Sequence, residues 1–326
     1  MTPDKEGVLR PAKSIEDILK LVPDINKHAE VDFIELENKD SVNVNPTHWT
    51  KLVNKLASVS DTYDGVIITH GTYTMSYSAS AVSLALGAGN KIPIVFTGSQ
   101  LPLLNFGTDA RFNLENSVKT VVRAAKLGIS EVMIVFSDVV LRGNRSLKVS
   151  ESKFAAFDSP VIGPIARVTS FNVEFSPFCI KRDDKKVLDV KPHFQRGILC
   201  VDLVPGQEPS LLLEVLRSGK CQGLLLKSPG VGVVPTEDEY SIIPVIKEAV
   251  ALKIPVLVAT KFVGGRTNME IYETGKLALD AGAIPTGDMT DVMAQVKFMW
   301  ALAEGYHDRD KLASLINQNL VGEITT

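Results

Sequence analysis

"YDGVIITHGTYTMSYSASAVSLALGAG", residues 63–89, passes from a short apolar run into His, Gly and hydroxyls, and then into an Ala/Ser/Leu-rich segment. The apolar run reads as a strand and the Ala/Ser/Leu segment as a helix ended by a glycine pair. The unit then recurs. "IPIVFTGSQ" (92–100) is a second strand opening around Pro93 and ended by Gly98. "DARFNLENSVKTVVRAAKLG" (109–128) places apolar residues at 112, 114, 118, 121 and 122 on one helix face, with Gly128 as its stop. "EVMIVFSD" (131–138) is a third strand. Strands apolar on both faces that alternate with helices predict an α/β domain with a mostly parallel sheet covered by helices. Such sheets bind ligands beyond the carboxyl ends of their strands. The polar stretches "THGTYT" (69–74), "TGSQLP" (97–102) and "RGNRSLK" (142–148) all stand there.

Outward from this block, "SPVIGPIARVTSFNVEFSPFCIKRDDKK" (159–186) loses the period and reads as an irregular hairpin followed by a linker. Alternation resumes with "GILCVDLVPG" (197–206) and continues to a helix around "TDVMAQVKFMWALAEG" (290–305). The expected organisation is a large N-terminal domain over 1–185, a linker over 186–200 and a smaller α/β domain over 201–326. A single continuous sheet is the competing reading. The opening "MTPDKEGVLRPAKSIEDILKLVP" (1–23) is a polar segment running into a helix where such a domain ordinarily begins with a strand.

The chain has 326 residues, 45% hydrophobic and 22% charged, enough apolar material for substantial cores. Its formal charge of −3 and the lack of a basic stripe argue against nucleic acid as a partner. With no long apolar span and no apolar signal segment at the start, the expectation is a cytoplasmic protein with no membrane association. Cys179, Cys200 and Cys221 are far apart and read as reduced core thiols. The five histidines show no metal-ligand spacing.

Thr69 and Thr72 follow the first strand, and Gly71 permits a tight turn that would expose their hydroxyls. Such a hydroxyl needs a base within about 3 Å to become a nucleophile. Lys148 and Lys153 are candidate bases, with Arg142 and Arg145 nearby; the bland reading of either lysine is a solvated surface charge. Lys153 stands close to Glu151 in a polar stretch, which favours that bland reading for it. Asp40 and Ser41 in "ENKDSVNVNPTHW" (37–49) could form a polar turn, or bind the ammonium and carboxylate of an amino acid. His70 reads as a structural imidazole or, less favoured, a general base.

Taken together, "DSVNVNPTHWTKL", "YDGVIITHGTYTMSYSASAVSLAL", "PIVFTGSQLPL", "DARFNLENSV", "RGNRSLK", "FDSP", "VDLVPG", "KSPGVGVVP" and "AGAIPTGDMT" resemble the bacterial-type L-asparaginases, especially their cytoplasmic class. The resemblance covers essentially the whole chain. It implies cofactor-free hydrolysis of L-asparagine, or a related small-molecule amide, to L-aspartate and ammonia by threonine-based catalysis. It implies catalytic roles for Thr72 and Lys148, and substrate-binding roles for Asp40, Ser41, His70, Gly71, Tyr73, Ser99 and Gln100. It further implies a homodimer or homotetramer in which Asn268 and Glu270 of "GGRTNMEIYETG" (264–275) face a neighbour's site.

Two departures stand beside these matches. Met1 falls where the family continues just beyond its first strand and GGTI motif, so that strand and its nucleophilic threonine are expected to be missing. The aspartate of the family's "HGTDTM" is Tyr73 here, which predicts impaired turnover. The alternative function is a non-catalytic asparaginase-like oligomer partner or a small-amide-binding protein. A related amidotransferase subunit that releases ammonia from glutamine for transfer-RNA charging is less favoured, since those subunits carry an additional N-terminal domain.

Overall fold

The computed structural model describes residues 25–325, together with the backbone of a short antiparallel pair ahead of them, β1 (Thr2–Pro3) and β2 (Leu9–Arg10). The helix expected within residues 1–23 lies outside the described residues. By internal contacts the chain divides into two units, one ending at Pro192 and the other starting at His193.

The first unit is built on β3 (Val66–Thr69), β4 (Ile94–Thr97), β5 (Val132–Phe136), β6 (Val139–Arg142), β9 (Ala166–Val168) and β10 (Val173–Phe175). These form one sheet in the order β10-β9-β6-β5-β4-β3. Only β3, β4 and β5 run parallel; β6, β9 and β10 pair antiparallel. The expectation of a mostly parallel sheet is therefore corrected to a mixed one. The cause lies in the connections. A parallel neighbour needs a crossover of a dozen residues or so, whereas Ser137 and Asp138 alone join β5 to β6. Ser137 takes the left-handed conformation, φ 58°, that such a tight reversal demands.

Helices cover the parallel part. Preceding β3, α1 (Pro46–Val59) starts at an Asn45 cap with Pro46 in its first turn and buries Trp49, Val53 and Leu56. Following β3, α2 (Met75–Leu86) is buried along nearly its whole length. After β4 comes α3 (Ala110–Lys126), whose Ala124 packs with Val95, Met133 and Val135 of the sheet. The alternate residues Ile94, Phe96, Ile134 and Phe136 are buried as well, so both faces of β4 and β5 are covered. A separate short pair, β7 (Leu147–Lys148) with β8 (Phe157–Asp158), leaves the sheet after β6.

The second unit is a parallel sheet in the order β11-β12-β13-β14, formed by Ile198–Asp202, Gly223–Ser228, Val256–Thr260 and Ile284–Pro285. Its helices are α4 (Pro209–Arg217), α5 (Ile243–Ala251), α6 (Glu273–Asp280), α7 (Asp291–Ala303) and α8 (Arg309–Asn317). Lys297 of α7 is fully buried and donates to Glu323 Oε1 at 2.6 Å and to the carbonyls of Ile316 and Gln318. This pair ties the end of the chain to the core, satisfying a charge that burial alone would not tolerate. All three thiols are free, and burial pushes those of Cys179 and Cys200 up to about 11, which keeps them protonated. No helix among the described residues is long and apolar enough to cross a membrane.

Candidate active site

The loop leaving β3 places Thr72 between the sheet and α2. Thr72 is buried, and its Oγ1 accepts a hydrogen bond from Lys148 Nζ at 2.8 Å. Lys148 arrives from β7, seventy-six residues further on. The same ammonium lies 4.3 Å from the centroid of the Tyr73 ring. A hydroxyl, an amine and an aromatic face therefore meet at the carboxyl end of β3.

Ser41 is the second wall. Its residue is 2% exposed, and its Oγ is buried with no hydrogen-bond partner among the described residues. A buried hydroxyl left unsatisfied costs free energy, so one beside the loop of Gly71 is suited to donate to a bound acceptor. Gly71 makes that approach possible: a Cβ there would stand 2.6 Å from Ser41 Oγ. Thr74 Oγ1 donates to the Ser41 carbonyl at 2.7 Å and fixes the two segments together. Asp40 caps the short turn Ser41–Asn43, its Oδ1 accepting from Val42 N–H at 3.1 Å.

His70 is half-buried and has both ring nitrogens engaged. Its Nδ1 is 2.7 Å from the Gly71 carbonyl, an acceptor, so Nδ1 carries the proton. Nε2 then accepts from Ser78 Oγ at 2.9 Å, and Ser78 Oγ in turn accepts from Trp49 Nε1 at 3.1 Å. The bonds run in one direction from α1 through α2 to the loop after β3. Burial holds the imidazole below its ordinary pKa, which keeps this neutral tautomer in place.

Ser99 and Gln100 come from the loop after β4. Ser99 Oγ donates to the Leu101 carbonyl, so it shapes its own turn. Gln100 Nε2 donates to the carbonyls of Lys153, at 3.1 Å, and Ser150, at 3.4 Å, which anchors the segment following Lys148. Lys153 itself is exposed. Glu151, its near neighbour in sequence, pairs with Lys148 at 3.0 Å instead. The reason is local: the strand β7 ends at Lys148, and the chain folds Glu151 back over it.

Sequence reasoning missed Asp109. It is buried, and its carboxylate accepts from the N–H groups of Gln100 and Leu101 and from Asn113 Nδ2, all at 3.0 Å. Its position just ahead of α3 is a common capping signal, which hid its part in holding a loop. Asn268 and Glu270 are exposed on the second unit, while the intervening Met269 and the preceding Thr267 are buried. Among the described residues, no three His, Cys, Asp or Glu side chains gather as metal ligands.

Beside β3, which is an edge strand among the described residues, lies a cavity of about 440 Å³. Its walls are β3 itself, the irregular segment 31–36, Leu52 and Leu56 of α1, and Val118 and Val121 of α3.

An α/β fold with a threonine–lysine pair at a strand end defines a broad class, and comparison with known proteins narrows it. Residues 1–178 match the family model "Asparaginase, N-terminal", and residues 198–316 match "Glutaminase/Asparaginase C-terminal domain". The chain belongs to the asparaginase family. It is 31% identical over 321 residues to an L-asparaginase of Thermococcus kodakarensis, spanning 97% of this chain and 93% of that protein. It is likewise 31% identical over 329 residues to a glutamyl-tRNA(Gln) amidotransferase subunit of Aeropyrum pernix, spanning 98% of this chain and 75% of that protein. The solved thermostable L-asparaginase of Thermococcus kodakarensis superposes with a TM-score of 0.85 at 30% identity, covering 100% of this chain and 95% of its own. L-asparaginase I of Vibrio cholerae gives 0.77 at 30% identity, covering 88% and 84%. The chain is thus similar both to L-asparaginases and to glutamyl-tRNA(Gln) amidotransferase subunits.

Proposed function

We propose that the protein is an amidohydrolase that converts L-asparagine to L-aspartate and ammonia, with turnover lowered by Tyr73. The observation that carries this reading is the 2.8 Å bond between Lys148 Nζ and Thr72 Oγ1. In its neutral form Lys148 takes the Thr72 proton as Thr72 takes one from a water, and that water attacks the side-chain amide carbon. Ammonia leaves with the transferred proton, and the carboxylate of aspartate remains. Ser41 supplies the donor for the substrate's α-carboxylate, which its buried Oγ, without a partner among the described residues, supports. His70 and Gly71 shape the loop, Asp40 holds the turn that carries Ser41, and Ser99 and Gln100 border the cleft. The expected result is slow ammonia release from L-asparagine by the purified protein, absent from Thr72→Ala, with L-glutamine assayed in parallel. Release that persists in Thr72→Ala would remove Thr72 from the reaction. A folded protein that binds L-asparagine and releases nothing would leave the small-amide-binding reading, which the neutral Tyr73 favours.

The working form proposed is a homodimer or homotetramer in a cytoplasmic setting, without nucleic acid or membrane. Asn268 and Glu270 sit among the exposed apolar residues Phe262, Val263, Ile271 and Tyr272, a composition suited to contact with a second copy. Light scattering at micromolar concentration is expected to give twice or four times the chain mass. A monomer there counts directly against this assembly and against roles for Asn268 and Glu270.

A further inference from the structure

The resemblance puts an aspartate where this chain has Tyr73, yet the site is not without a carboxylate. Lys148 Nζ has three neighbours: Thr72 Oγ1 at 2.8 Å, Glu151 Oε2 at 3.0 Å and the Tyr73 ring face at 4.3 Å. The lysine side chain is only 12% exposed, whereas that of Glu151 is 70% exposed. A cation withdrawn this far from water needs compensation from what surrounds it. The hydroxyl offers a lone pair, the ring offers its electron-rich face, and Glu151 alone among the three offers charge.

We propose that Glu151 is the positioning carboxylate of this site, holding Lys148 Nζ against Thr72 while the Tyr73 ring closes its other side. The inference rests on the Thr72–Lys148 reading for its importance to turnover, though not for its geometry. The segment that carries Glu151 is itself fixed, because Gln100 Nε2 holds the carbonyls of Ser150 and Lys153 on either side of it. Glu151 thus reaches Lys148 from an anchored turn, and Gln100 acts on the lysine through that turn.

The placement of Lys148 Nζ can be read without any turnover. Trace acetylation of the intact protein with acetic anhydride at about pH 8, followed by peptide mass spectrometry, gives the reactivity of Lys148 relative to the exposed Lys119 of α3. An Nζ held between its partners is shielded from the reagent, so a carboxylate that holds it against Thr72 suppresses labelling. Glu151→Gln keeps the size of the side chain and removes its charge. It is expected to raise the Lys148 to Lys119 ratio about two- to five-fold, the range for a partly exposed ion pair. Glu151→Asp keeps the charge and is expected to stay near the wild-type ratio. A ratio unchanged in Glu151→Gln overturns the proposal, as does an equal rise in both variants. An enzymatically inert protein would sink the amidase reading and leave this measurement intact.

Discussion

Lys148→Met is expected to lower amidase turnover by a factor of about 100 or more, and Lys153→Met to leave it nearly unchanged. The two lysines stand five residues apart, Lys148 as the last residue of β7 and Lys153 in the stretch after it. Only Lys148 reaches the hydroxyl of Thr72, at 2.8 Å, and its side chain is largely buried there. Lys153 is exposed, and the contacts it makes here are through its backbone, the carbonyl accepting from Gln100 Nε2 and the N–H donating to Ser150 Oγ. Methionine matches the length of lysine and keeps most of its packing, so the loss reports the amine rather than a collapsed loop. The measurement is ammonia release from L-asparagine by a form with detectable activity, with folding checked by circular dichroism. Equal losses in the two variants would withdraw the assignment of Lys148. A drop in Lys153→Met alone would move the base to the exposed lysine and make the 2.8 Å bond incidental.

Local pattern carries the helices and strands well because each is decided by residues near one another. The apolar run at 66–69 and the Ala/Ser/Leu segment after it appear as β3 and α2, and Gly128, at φ 66°, ends α3 as its position suggests. What pattern does not reveal is direction. A strand apolar on both faces looks the same whether its neighbour is parallel or antiparallel, and the two-residue link at Ser137 and Asp138 is the available clue to the mixed sheet.

The site is legible in its residue types and only partly in its pairings. Thr72 and Lys148 can be singled out because each stands at a strand end. Their contact spans seventy-six residues, which no local window registers. Glu151 reads as a neighbour of Lys153 because adjacency along the chain says nothing of which way a turn folds. Asp109 escapes notice because most of its partners are backbone N–H groups of another loop, a role that leaves no side-chain signature.

Adding a family-like strand with its GGTI ahead of Met1, together with Tyr73→Asp, is expected to give the highest asparaginase activity of four proteins: the chain as it stands, each change alone, and both. The cavity of about 440 Å³ beside β3, an edge strand among the described residues, offers room where such a strand could pair; β3, the segment 31–36 and apolar side chains of α1 and α3 line it. It would bring a threonine to the same strand ends that carry Thr72. Tyr73 is neutral and lies over Lys148, so it offers no charge to a substrate ammonium. One charge-assisted contact contributes about 2–3 kcal/mol, which predicts a roughly 30- to 150-fold gain from the aspartate once the strand is present. Without the strand the gain should be smaller, because nucleophile and substrate charge act on one bound molecule and their effects are coupled rather than additive. Ammonia release from L-asparagine and L-glutamine across the four proteins measures that coupling directly. If the extended protein that keeps Tyr73 equals the one with aspartate, the tyrosine is no impediment to turnover. If the doubly changed protein is folded and oligomeric yet inert, the amidohydrolase reading falls, and the Thr72–Lys148 pair serves binding alone.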